Sequence, residues 1–112
     1  MYLHYASGST GKFKTDWTTP SLASGLRSVR GAASTATTDD AITMRTGVHG
    51  FTTSITYGYR SSGATNQMLA TEEAIVTTLG AGTLALQWAQ VTSDATATRL
   101  GAGSWMRVTR LA

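Results

Sequence analysis

Few residues in this chain are of a type and spacing that could do chemistry, and each such group has a plainer reading. Gly8-Ser9-Thr10-Gly11-Lys12 has the composition of a phosphate cradle. A phosphate loop needs a glycine five residues before its Gly-Lys pair and a Ser or Thr after the lysine. Those positions hold Ala6 and Phe13, so the segment predicts a tight turn. Gly80/Gly82 and Gly101/Gly103 lack the third glycine of a dinucleotide fingerprint and also predict turns. His4 and His49 are the only histidines and there is no cysteine, too small a set for a metal site unless acids gather round it. His4 falls between Leu3 and Tyr5 in an extended segment and is expected at the surface or at an interface. His49, in Thr46-Gly47-Val48-His49-Gly50, is expected in an exposed turn. Asp39-Asp40 and Glu72-Glu73 are adjacent pairs, and neighbours on an extended chain point to opposite faces. Neither pair can therefore work as acid and base on one substrate. Calcium requires several oxygens close together, and no loop is that dense. The expectation is a protein with no catalytic residues, no metal and no cofactor: not an enzyme.

The aromatic residues are the remaining candidates. Trp17, Tyr57, Tyr59, Trp88 and Trp105 can serve as core, as subunit interface or as a sugar-stacking platform. Tyr57 and Tyr59 flank Gly58 on one face of an alternating run, and tyrosine suits a surface that is apolar on one side and wet on the other. Tyr57 and Tyr59 are therefore expected at an interface between copies, with Trp88 or Trp105 near them.

The elements that must position these groups read as short strands. Tyr2–Ala6 is the first. Lys12–Thr18 alternates cleanly, with Phe13, Thr15 and Trp17 on one face, and Pro20 ends it because proline cannot donate to a ladder. Residues 26–33 form a weaker strand, 41–45 another, and 51–59 the best alternation, with Phe51, Thr53, Ile55, Tyr57 and Tyr59 on one side. Leu69–Leu79 contains the β-branched run Ile75-Val76-Thr77-Thr78, which favours strand, with room for one helical turn near Thr71. Thr83–Gln90 puts Leu84, Leu86 and Trp88 on one face, and Ser104–Leu111 is read as the strand that closes the core. Loops are expected at 8–11, 33–40, 61–66 and 93–103. Polar loop side chains with useful donors or acceptors are Asp39, Asp40, His49, Asn66 and Gln67. This is the pattern of an all-β, jelly-roll-like antiparallel β-sandwich of about eight strands, one domain spanning residues 1–112.

Composition agrees. Charged residues make up 13% of the 112, about half the usual share of ~25%, and Thr, Ser, Ala and Gly fill the deficit. Three Trp, four Tyr and two Phe argue against disorder. The net charge of +3 comes from nine scattered cations against six acids. Nucleic-acid binders cluster theirs on one face, so no nucleic-acid partner is expected. No leader and no run near the ~18 apolar residues of a membrane span is seen, so membrane insertion is not expected either. A small domain without disulfides often gains stability by oligomerising.

Two segments carry a family resemblance: Gly82-Thr83-Leu84-Ala85-Leu86-Gln87-Trp88-Ala89-Gln90 with Thr92-Ser93-Asp94-Ala95-Thr96-Ala97-Thr98, and Ala102-Gly103-Ser104-Trp105-Met106. Together with the opening Tyr2-Leu3-His4-Tyr5 and Gly11-Lys12-Phe13-Lys14-Thr15-Asp16-Trp17, the chain resembles a domain of tailed-bacteriophage virion proteins, of the minor tail or fibre-tip type. Such domains are similar to the trimeric jelly rolls of the C1q/tumour-necrosis-factor type. The resemblance implies a homotrimer packed through aromatic-rich strands, with Tyr57, Tyr59, Trp88 and Trp105 as interface candidates. Its implied partners are other virion proteins and a host cell-wall glycan; its implied location is the phage particle, assembled in the host cytoplasm. The implied role is host attachment at a tail tip. A capsid decoration protein is the alternative, and a carbohydrate-binding module a weaker one.

Overall fold

The computed structural model of the protein describes residues 1–36, 43–60 and 66–111. Alternating apolar side chains and β-branched residues produce eight strands: β1 (Tyr2–Ala6), β2 (Phe13–Thr18), β3 (Ser24–Ala32), β4 (Met44–Gly50), β5 (Ile55–Tyr57), β6 (Met68–Thr77), β7 (Ala85–Ala89) and β8 (Arg99–Leu100). They form two antiparallel sheets, one in the order β4-β3-β6-β1-β8 and one in the order β5-β2-β7. The chain changes sheet at every connection except β3 to β4. The fold is an all-β sandwich.

The core lies between the inner faces of the sheets. Leu3 and Tyr5 of β1, Val29 and Ala32 of β3, and Met68 and Ala70 of β6 meet Phe13 of β2 and Ile55 and Tyr57 of β5. Phe13 stacks on Tyr5, with ring centroids 4.3 Å apart, and lies 6.1 Å from Tyr57 and 6.2 Å from Trp88. The inward face expected for β2 is correct: Phe13 and Thr15 are fully buried and Trp17 is half-buried against Phe51. Tyr57 reaches β3 because Gly31 has no side chain; a Cβ there would stand 2.8 Å from the ring.

Several expectations are corrected. The run 51–59 is not one strand: Phe51 and Thr52 form a turn closed by Thr53 N–H to Gly50 O, and only Ile55–Tyr57 is extended. Thr46–Gly50 is strand rather than turn, held along its whole length by β3. His49 is thus a half-buried strand residue, and its ring covers Gly47. There is no helical turn at Thr71, which lies within β6. The tail does not close the core. Trp105 makes one bridge to Tyr2, and residues 106–111 enter no strand. Asp39, Asp40 and the loop at 61–65 lie outside the described residues.

Candidate functional site

The chemically richest cluster is buried. Arg27 on β3 and Glu72 on β6 form an ion pair of 2.8 Å, with side chains 0% and 2% exposed. Both sit at inward positions of their strands, where the alternation otherwise places Val29, Met68 and Ala70. Glu72 Oε1 also accepts from Thr15 Oγ1 at 2.6 Å and from the Tyr57 hydroxyl at 2.8 Å. The second Arg27 terminal nitrogen donates to the carbonyls of Thr15 and Thr53. Thr15 and Tyr57 belong to the other sheet, so the cluster bonds the two sheets to each other. Burial pushes the Tyr57 hydroxyl well above its ordinary range, and the Glu72 carboxylate beside it adds to the rise. With no surface for a substrate, this arrangement binds the sandwich together and does nothing catalytic. It corrects the reading of Glu72 and Arg27 as surface charges. The signal was in the sequence: opposite charges at inward positions of two strands.

The two segments that carry the family resemblance are structural staples. Gln90 donates to the carbonyls of Asp94 (3.2 Å) and Thr96 (2.8 Å) and accepts from Asp94 N–H at 3.1 Å. Asp94 in turn accepts from the amides of Thr96 (2.8 Å) and Gly11 (3.0 Å). Thr98 Oγ1 donates to Lys12 O at 3.0 Å. The loop after β7 is thereby pinned to the turn between β1 and β2. At the other end, Ser104 Oγ takes the bond of His4 N–H at 3.0 Å, and Gly101 N–H bonds His4 O at 2.6 Å. The Gly101–Ser104 segment is a bulge of the last strand against β1, and Trp105 stacks on Tyr2 at 5.0 Å.

The amide of Thr96, with that of Gly11, favours the ionised form of Asp94 and holds its carboxyl below the ordinary value of 3.8. A depressed folded value means the contribution is complete above the ordinary value and is lost as pH falls through the folded one. Hydrogen exchange at Gly11 and Thr96 should accordingly stay slow at neutral pH and quicken only in acid. In Asp94→Ala it should be fast at every pH; equal protection in the variant would refute the staple.

The interface candidates do not share a surface. Tyr57 is fully buried in the core and bonded to Glu72, so it cannot face another subunit. Tyr59 is half-buried beyond β5, its N–H bonded to Ala36 O. Trp88 and Trp105 remain exposed, at 42% and 53%. Trp88 lies opposite Thr15, so it faces inward, and yet it is open to solvent. Sheet order places β7 over β1 and β8, so Trp88 and Trp105 flank one open side of the sandwich. Met106, Val108 and Leu111 of the tail are exposed as well. Apolar side chains gathered on one flank of a small domain mark an interaction surface. His4 and His49 are on opposite sides of the larger sheet, on β1 and β4. Among the described residues no three His, Cys, Asp or Glu side chains come together as a metal set would require. No family model, no curated protein and no solved structure matches the chain.

Proposed function

We propose that the protein is a structural virion component of a tailed bacteriophage and not an enzyme: a homotrimeric tail-tip or minor tail protein whose loops meet a cell-wall glycan of the host. The observation that carries this reading is the open flank beside Trp88 and Trp105, which lies next to the two segments resembling phage virion domains. The only strongly charged cluster is consumed in holding the sheets together, which leaves recognition and assembly as the roles of the surface. The trimer would pack through Trp88 and Trp105, with Tyr59 as the further candidate and Tyr57 excluded by burial. The loops of a rigid sandwich are the natural place for recognition residues, since the scaffold fixes their ends.

One observation favours the alternative, a trimeric decoration protein on the capsid. Gln90, Asp94 and Thr96 spend their hydrogen bonds within the 91–98 loop, which leaves that loop few groups for a sugar. Binding separates the two. The adhesion reading expects the isolated protein to bind host cell-wall preparations, with no effect of a chelator, and to ignore empty capsids. Tight capsid binding without cell-wall binding would replace adhesion by decoration.

A further inference from the structure

β1 is shorter than the strand it pairs with. Tyr2–Tyr5 cover Met68–Thr71 of β6, and Met1 exchanges both its backbone bonds with Glu72. β6 continues to Thr77. Its last five residues, Glu73–Thr77, pair with Ser24–Ser28 of β3 on one side and with no strand on the other. The free side is a lane one strand wide and roughly 17 Å long at ~3.4 Å per residue.

Side chains around the lane behave as a core lacking one layer. Ala74 and Val76 have the inward parity of Ala70 and Glu72, yet Ala74 is exposed and Val76 only half-buried. On the facing sheet Leu86 is half-buried, and Trp88, also inward, is exposed.

The same chain carries a segment suited to that space. Beyond Trp105, residues 106–111 read Met-Arg-Val-Thr-Arg-Leu and pair with no strand among the described residues. Met106 and Val108 stand two apart, which puts them on one face of an extended chain, and they are 49% and 74% exposed. The tail cannot fill its own lane in register. Trp105 is bonded to the far edge of β1, so β1 stands between the tail and β6.

We propose that residues 106–111 of one copy seat in the β6 lane of a second copy, antiparallel to β6. This is strand addition: main-chain bonds to Glu73–Thr77 hold the segment, and alternate side chains give it register. Met106 and Val108 turn inward onto Ala74, Val76, Leu86 and Trp88. Arg107 and Thr109 turn outward on the face that carries Glu73, where the Arg107 charge is complementary. Donor and acceptor are different surfaces, so the contact is head-to-tail and closes into a ring when the rotation allows. A three-copy ring is the closure that agrees with the trimer proposed above. The exchange needs only a second copy and is independent of where the protein sits on a virion.

Two singly substituted proteins of different tag size test this directly: Val108→Cys mixed with Ala74→Cys, and Val108→Cys mixed with Val76→Cys, each refolded together and oxidised. The expected result is a reducible species containing one chain of each kind in at least one mixture, because adjacent strands bring Cα atoms within disulfide reach. A chain ending at Trp105 should keep its strand circular dichroism and sediment as a monomer where the full chain does not. If neither mixture crosslinks while the full chain is a monomer at micromolar concentration, the exchange does not occur. An oligomer that survives loss of the tail also overturns it.

Discussion

Replacing Glu72 with alanine should cost about 3–5 kcal/mol, because it strands a buried arginine without its counter-charge. Arg27 is fully enclosed, and its terminal nitrogens have only Glu72, Thr15 and the Thr53 carbonyl for partners among the described bonds. The same change orphans the Thr15 and Tyr57 hydroxyls, which both donate to Glu72 Oε1. A domain of this size has a total stability on the order of 5–15 kcal/mol, so Glu72→Ala should lie near the edge of folding. The paired change Arg27→Met/Glu72→Leu removes both charges and fills their volume. It should be near neutral, since well-packed apolar replacements of buried ion pairs often are. Urea denaturation of the three proteins measures this. A single-variant loss below about 1 kcal/mol would mean that water reaches the pair.

Phe13→Ala should cost about 3–5 kcal/mol, the range for removing a buried phenylalanine whose site cannot collapse. Phe13 is fully buried and is the one ring that touches Tyr5, Tyr57 and Trp88. It therefore links β1 of one sheet to β5 and β7 of the other. Stacking on Tyr5 adds about 0.5–1.5 kcal/mol beyond burial, so Phe13→Leu should recover much of the loss but not all. Thermal unfolding provides the comparison. Equal stability of Phe13→Leu and the natural chain would show that the ring stack contributes nothing of its own.

How much of this could be seen in the residues depends on whether the cause was local. The alternation of Phe13, Thr15 and Trp17 was legible because a strand facing a core on one side must repeat every two residues. The Ile75–Thr78 run likewise reads as strand because branched side chains favour it. Phe51–Tyr59 misled for the opposite reason. Phe51 is inward and packs on Trp17, but a turn delivers it there, so an alternating pattern arose without a continuous strand. Gly47 and Gly50 suggested a turn, yet β3 supplies a full-length partner to Met44–Gly50, and tertiary pairing prevails over local glycine preference. The tail from Ser104 to Leu111 has strand composition, but pairing is a property of neighbours, and beyond Trp105 no neighbour is present.

The candidate site divides the same way. Trp88 and Trp105 were recognisable as interface residues by type, whereas Tyr57 was not separable from them until its hydroxyl was found on Glu72. Arg27 and Glu72 are 45 positions apart, and only the register of β3 against β6 brings them together. The Gln90–Asp94–Thr96 staple shows why a recognisable motif need not be a site. Its residues are required by the loop they fold, and their polar groups are occupied there.

Whether the chain belongs to a phage particle is decided most directly by gold labelling of purified virions with an antibody to this protein. Label at the distal end of the tail is the result expected of a trimeric attachment component. Particles that carry the label nowhere, from a lysate in which the protein is abundant, would contradict the account.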